Sequence, residues 1–314
     1  MAKKEKTFWP GESVRGFWGG DMLLSSVDLI AVKNGLKKVF RGEISKEEDL
    51  ALYREVCKKW GLKMAVSDKK LLGRHNIYFS LDAKSAKKAK RVDPSFKIII
   101  EKKDFGQALK EVKEFSRLLG YPACCVDRYI ENVTHSVTAA QSPIFKEIPP
   151  KIDFLMNSFL NGISNHYLSF HLPCSFSCKS TLAYHKKIMA CVKKDSPEFY
   201  RELVGLLKRP LLIFLDPVGE NIYNSWDRRQ GFLFDGKAGR GGLFYERARY
   251  LRASYPEFGE KERDGAALLS VKKGIAGGNK IVFGREHFSV FKGAKKIFEW
   301  RNNEQLAAYF LNFV

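Results

Sequence analysis

The sequence predicts an α+β protein, with a helical central region between a mixed α/β N-terminal region and a β-rich C-terminal region. Two patterns support this prediction. Apolar residues recur at three- to four-residue spacing in the centre of the chain, and short apolar runs alternate with glycine-rich turns in its last third. A length of 314 residues, 45% of them hydrophobic, is sufficient for two domains or one large domain.

The N-terminal region, residues 1–102, is expected to combine helix and strand. Ser45 is a suitable N-cap for a helix over residues 46–60, because two glutamates follow in its first turn. Strand-like runs follow, among them residues 63–66 and 76–81.

The central region, residues 103–208, is predicted to be mostly helical. Its clearest element is an amphipathic helix over residues 104–119, which Gly120 terminates. Helical patterns return at residues 178–193 and 197–208. Four of the six cysteines lie in this region as two tight pairs.

The C-terminal region, residues 209–314, is predicted to be rich in strands. Strand-like runs occur at residues 211–215, 231–234, 280–283 and 287–291. Two other segments have helical spacing: residues 244–252, with a basic rim, and the tail at residues 303–313.

The chain is strongly basic, with 55 Lys and Arg against 35 Asp and Glu and a formal net charge of +20. This excess favours contact with nucleic acid, acidic lipid or another anionic partner, and charge alone does not distinguish these. The basic residues concentrate at residues 84–91 and at Arg247, Arg249 and Arg252.

The segments that would direct the chain out of the cytoplasm or into a membrane are missing from the sequence pattern. No apolar stretch follows the basic N-terminus, and none reaches the roughly 20 residues of a membrane helix. Six cysteines are also too sparse for a disulfide-rich secreted scaffold. We therefore expect a cytoplasmic protein whose paired cysteines are ligands or catalysts.

The first cysteine pair lies in the segment GYPACCVDRYIEN. Pro122 is suited to the first turn of a helix, which places Cys124 and Cys125 near a helix N-terminus. The unpaired N–H groups and the positive dipole there stabilise thiolates. A metal ligand and a nucleophile both need this property.

The second pair lies in HLPCSFSCKSTLAYHKK, where Pro173 precedes Cys174. If the following helix includes Cys174, then Cys178 is its i+4 neighbour on the same face. His185, eleven residues after Cys174, lies only about 20° from that line at about 100° per residue. One helix face would then present all three side chains.

Three interpretations of the four cysteines remain open: metal or cluster ligation, thiol redox or nucleophilic chemistry, and ordinary packing. Ligation is favoured, because two helices that each begin at a proline could bring four thiolates together at one site. An iron–sulfur cluster is favoured over zinc, since no C-x-x-C knuckle is present and adjacent cysteines diverge by about 100° on a helix. A radical-SAM motif would need a cysteine where Thr181 stands.

Three polar side chains near the cysteines are candidates for proton transfer, although no reaction is assigned. His171 precedes the second pair, Asp127 follows the first, and His185 shares the predicted helix face.

The two motifs, LLGYPACCVDRY and FHLPCSFSCKSTLAYHKK, resemble the uncharacterised prokaryotic family known as domain of unknown function 483. Its members combine a GYPxCC segment with an HxPCSxxC segment. The resemblance covers about residues 109–190 and implies that the cysteines act as a unit with the motif residues around them. It implies no activity.

Two alternatives to a metal-binding protein follow from the same residues. One is a basic nucleic-acid-binding protein in which the cysteines form a purely structural site. The other is a redox or nucleophilic enzyme with a reactive thiol at Cys124 or Cys125.

Overall fold

A computed structural model describes most of the chain and confirms the α+β class. The chain divides into two compact units, each with its own antiparallel sheet and core. Within the described residues, no helix is long and apolar enough to cross a membrane. The described residues are 26–44, 49–71, 73–95, 97–98, 104–158, 168–169, 171–218, 230–252, 266–303 and 306–314.

The first unit is built on a three-stranded sheet with the order β1-β3-β2. Helices α1 and α2 pack on one face of this sheet, and α3 and α4 pack on the other. Side chains of β3 alternate between the faces, so that Ile77 and Phe79 join one core while Tyr78 joins the other. The strands are β1 (Phe40–Ile44), β2 (Lys63–Leu71) and β3 (Arg74–Ser80), and the helices are α1 (Ser26–Lys33), α2 (Asp49–Trp60), α3 (Ala83–Val92) and α4 (Leu109–Leu118).

The predicted helices of this region are present with shifted ends. The amphipathic helix predicted from residue 104 begins with a short 3₁₀ turn, Gly106–Ala108, and continues as α4. Ser45, the predicted N-cap of α2, lies outside the described residues.

Gly120 ends α4 as predicted, and it turns the chain towards the first cysteine motif. Its φ of 76° lies in the left-handed region that glycine adopts without strain. The Gly120 N–H donates to the Arg117 carbonyl at 3.2 Å, and the Tyr121 N–H donates to the Ser116 carbonyl at 3.1 Å. This pair of bonds is a Schellman motif. It satisfies two carbonyls at the helix end and leads directly into Pro122.

Four further helices follow, α5 (Ala123–Thr134), the short α6 (Pro143–Lys146), α7 (Lys179–Asp195) and α8 (Pro197–Leu207). Helix α7 is joined to α1 by an ion pair in which Lys33 Nζ lies 3.0 Å from Asp195 Oδ2. Four side chains of α7 are fully buried: Thr181, His185, Ile188 and Val192.

The second unit is built on a seven-stranded antiparallel sheet with the order β10-β4-β5-β6-β7-β8-β9. Helix α9 (Ala266–Gly277) supplies Leu268, Val271 and Ile275 to its core. The strands are β4 (Leu211–Leu215), β5 (Gln230–Gly239), β6 (Gly242–Arg252), β7 (Lys280–Phe283), β8 (His287–Lys292), β9 (Lys295–Arg301) and β10 (Ala307–Leu311).

The helix predicted at residues 244–252 is wrong, because this segment is the long strand β6. A bulge explains the misleading spacing: opposite Asp235 and Gly236 of β5, the pairing skips Glu246. Inward side chains are Leu243 and Tyr245 before the bulge and Ala248 and Tyr250 after it. At the bulge, the inward positions change from odd to even residue numbers. One step between them is therefore three residues long, as in a helix.

The helical tail predicted at residues 303–313 is also wrong. Residues 307–311 form β10, whose five residues pair with β4 in antiparallel register from Ala307 opposite Leu215 to Leu311 opposite Leu211. Pairing with a buried strand outweighs the local helical spacing.

Candidate metal centre

Helix α5 carries the first cysteine pair in its first turn, as the sequence predicts. The Pro122 carbonyl accepts hydrogen bonds from the Cys125 N–H at 2.9 Å and the Val126 N–H at 3.1 Å. Cys124 is exposed and Cys125 is buried. The pair therefore sits at the positive end of the helix dipole with one thiol facing solvent.

The second pair lies in a bend, so the expectation that a helix includes Cys174 is wrong. The Cys178 N–H donates to the Ser175 carbonyl at 3.2 Å, which closes a tight turn, and α7 begins only at Lys179. Cys178 immediately precedes the helix and is buried, whereas Cys174 is half-buried. The turn, rather than one helix face, brings the two side chains together.

The four cysteine sulfurs form one group, in which all Sγ atoms lie within 4.8 Å of one another. The Sγ atoms of Cys124 and Cys125 are 4.0 Å apart. Thiolates are soft donors that suit Zn²⁺ and iron. In both number and type, these donors fit a metal ion.

His171 and His185 lie beside this group without joining it. His171 Nε2 is 3.2 Å from Thr181 Oγ1, and His171 Nδ1 is 2.7 Å from Ser169 Oγ. The same Ser169 Oγ is 2.6 Å from His185 Nε2. Asp127 is exposed on α5 and is likewise outside the sulfur group. The proton-transfer role of these three residues stays a prediction.

Thr181 and Ser169 are the polar residues that the sequence did not single out. Thr181 Oγ1 is 3.2 Å from Cys125 Sγ, and both hydroxyl residues are fully buried. Thr181 lies on α7 one turn after Cys178, a spacing that gives a weak signal for proximity. Ser169 has no sequence signal.

A buried ion pair between Lys37 and Asp28 lies near His171. Lys37 Nζ bonds to Asp28 Oδ1 at 2.5 Å, and both side chains are almost completely buried. Lys37 Nζ also lies 5.5 Å from the ring centre of Tyr121, whose ring packs 5.2 Å from that of His171. Burial lowers the pKa of His171 well below its ordinary value, and His185 and Lys37 add to this effect. His171 is therefore neutral at neutral pH.

Fold and site together define an α+β protein with a group of four thiols that can hold a metal ion. Residues 80–208 match the model of the family described as Protein of unknown function (DUF483). This match confirms the resemblance seen in the two motifs and extends it beyond residues 109–190. No curated protein and no solved structure matches the chain.

Proposed function

We propose that this protein binds one metal ion through its four paired cysteines, and that Zn²⁺ suits the site best. The sulfur spacing carries the proposal, since all four Sγ atoms lie within 4.8 Å of one another. Four thiolates at about 2.3 Å from a zinc ion lie about 3.8 Å apart at the corners of a tetrahedron. A small contraction of the group is enough to reach that geometry.

The same spacing argues against the iron–sulfur cluster that the motif pattern favours. In a four-iron cluster each thiolate binds a different iron on the outside of the cluster, so the sulfurs lie farther apart than around a single ion. The divergence expected of adjacent cysteines is absent, because the Sγ atoms of Cys124 and Cys125 are 4.0 Å apart. That distance is close to a tetrahedral edge.

A structural role follows from the number of ligands. Four thiolates complete the coordination of Zn²⁺ and leave no open position for water or substrate, as is typical of structural zinc sites. We propose that the ion is structural and that all four thiolates bind it.

The test is metal and sulfide analysis of protein purified without oxygen. We expect about one zinc per chain, little acid-labile sulfide and no visible absorption. Substitution with Co²⁺ is expected to produce intense thiolate-to-cobalt charge-transfer bands. Stoichiometric iron and sulfide with a brown colour would support the cluster instead.

Absence of zinc and iron from that preparation would contradict metal binding altogether. Labelling with iodoacetamide against pH then separates the remaining interpretations. One thiol that reacts well below the ordinary cysteine pKa of about 8.5 would indicate redox or nucleophilic chemistry.

A second candidate function, contact with nucleic acid, is favoured by a charged surface on α3 and α4. Helix α3 carries five basic and no acidic residues, and α4 carries three basic and two acidic ones. Both acidic residues are already paired: Glu114 with Lys88 at 2.7 Å and Glu111 with Lys97. Lys90 of α3 is half-buried and pairs with Asp68 at 2.6 Å. Six exposed cations are left over and form what we call the basic face: Lys84, Lys87, Arg91, Lys110, Lys113 and Arg117.

The ion pair between Lys88 and Glu114 shows that the cations of the two helices share a surface. Lys88 lowers the pKa of Glu114, and Arg91 and Lys110 add to this effect because both are close to that carboxylate. The only aromatic residue of the two helices, Phe115, is buried. We therefore propose contact with the phosphate backbone rather than stacking on bases.

Nucleic-acid contact is tested by measuring binding to RNA and DNA duplexes at several salt concentrations. We expect the affinity to fall steeply with salt, and the double variant Lys87→Glu/Arg91→Glu to reduce both affinity and salt slope. The matched control is Lys58→Glu/Lys59→Glu, which reverses two exposed lysines at the end of α2. Equal losses in both variants would contradict a specific role for the basic face.

A further inference from the structure

A continuous chain of four hydrogen bonds connects the Cys125 sulfur to His185. Cys125 Sγ lies 3.2 Å from Thr181 Oγ1, which lies 3.2 Å from His171 Nε2. His171 Nδ1 lies 2.7 Å from Ser169 Oγ, which lies 2.6 Å from His185 Nε2. Each of the three internal groups therefore has one partner on either side.

The chain runs through a largely dry environment. Ser169, Thr181 and His185 have an exposed fraction of 0%. The His171 ring packs between the ring of Tyr121 and that of His185, with centres 5.2 and 5.7 Å away. His171 itself is half-buried, so little water competes with the partners along the chain, which set the direction of each hydrogen bond.

Proton counting determines that direction. A hydroxyl donates one hydrogen bond, and a neutral imidazole donates from one nitrogen and accepts at the other. A cysteine that binds a metal is a thiolate, which only accepts, so Thr181 must donate to Cys125. It follows that His171 Nε2 donates to Thr181, Ser169 donates to His171 Nδ1, and His185 Nε2 donates to Ser169. Four protons then serve four hydrogen bonds, all of which point towards the sulfur.

We infer that Thr181 donates a hydrogen bond to the metal-bound Cys125 sulfur, and that His171, Ser169 and His185 are positioning residues that fix its direction. This inference rests on the proposed function, because it describes how the protein supports one ligand of the ion. It gives the two histidines a role other than ligation. Both ring nitrogens of His171 are already engaged within the chain.

The chemical effect concerns the electron density on one sulfur. A hydrogen bond withdraws density from the thiolate, which lowers the energy of its donor orbital. Partners of this kind typically change metal affinity by about 10- to 100-fold.

The test compares Thr181→Val, which has the same shape without the hydroxyl, with Thr181→Ser, which keeps it. Zinc affinity is measured by competition with a chromophoric chelator, and Co²⁺-loaded protein is measured by absorption. For Thr181→Val we expect about tenfold weaker zinc binding and a charge-transfer band at longer wavelength. Thr181→Ser is expected to resemble the unmodified protein in both measurements.

A double-mutant cycle tests whether the chain acts as a unit. Ser169→Ala is expected to shift the cobalt band in the same direction as Thr181→Val, and to add little when Thr181 is already Val. Additive effects would overturn the positioning role of Ser169 and the residues beyond it. A band unchanged in Thr181→Val would overturn the hydrogen bond itself.

These failures are distinct from failure of the proposed function. If the unmodified protein binds neither Zn²⁺ nor Co²⁺, the metal site is refuted. If it binds both ions and Thr181→Val matches it in affinity and spectrum, only the hydrogen-bonded chain is refuted. Circular dichroism of each variant shows whether a loss of binding reflects a loss of fold.

Discussion

Cys57 and Cys178 have nearly equal exposed fractions, 7% and 6%, but opposite surroundings. Cys57 packs among apolar side chains of the first unit, including Leu29 and Leu62. Burial raises its pKa to about 11, which keeps the thiol protonated. Cys178 instead has three other cysteine sulfurs within 4.8 Å. Neighbouring groups, rather than burial, therefore distinguish the ligand from the packing residue.

At the residue scale we predict opposite metal contents for Cys178→Ala and Cys57→Ala. Cys178→Ala removes one of four ligands, so zinc is expected to fall well below one per chain after dialysis. Cys57→Ala is expected to keep its zinc and lose about 1 kcal/mol of stability to the small cavity. Metal analysis measures the zinc content of both variants, and urea unfolding measures the stability of Cys57→Ala. Equal zinc contents would contradict the assigned ligand set.

Gly120 shows how a single turn prepares the site at the scale of elements. Its positive φ lets α4 end in a Schellman motif, and the next two residues lead into the start of α5. A Cβ atom at this position would lie 3.2 Å from the Tyr184 hydroxyl and 3.5 Å from Lys37 Cγ. Conformation and space both favour glycine here.

At this scale we predict that Gly120→Ala destabilises the protein by about 1–2 kcal/mol, the cost of a left-handed residue with a Cβ atom. The matched control is Gly205→Ala within α8, where an added Cβ meets nothing within 4 Å. That change is expected to stabilise the protein by about 0.5–1 kcal/mol, because alanine favours a helix interior. Urea unfolding of both variants measures the change in the free energy of unfolding, which we expect to be a loss for Gly120→Ala and a gain for Gly205→Ala. A neutral Gly120→Ala would refute the strain argument.

At the scale of the whole molecule, metal binding is expected to add to the stability of the fold. An ion that binds only the folded chain contributes RT ln(1 + [L]/Kd), about 4 kcal/mol when free metal is a thousand times Kd. We predict that a strong chelator lowers the melting temperature and that added zinc restores it. Cys178→Ala should not respond to either treatment. A melting temperature unaffected by chelation of zinc-loaded protein would contradict a structural metal.

The sequence alone determined much of the plan of this protein. It determined the α+β class, the helix start at Pro122, the end of α4 at Gly120 and the two cysteine pairs, because local propensities and short motifs specify these features. Two of its errors came where strand pairing overrides a local pattern. Residues 244–252 have helical spacing, yet they pair with β5 as part of β6, and residues 307–311 of the predicted helical tail pair with β4 as β10.

Only the tertiary structure decided the geometry of the site. Forty-eight residues separate Cys125 from Cys174, and no rule of spacing predicts a distance across such a separation. Folding brings the sulfurs within 4.8 Å and places Thr181 and Ser169 in line with the histidines. The choice between a single ion and a cluster depends on that distance. It is therefore a property of packing, which the order of residues along the chain does not reveal.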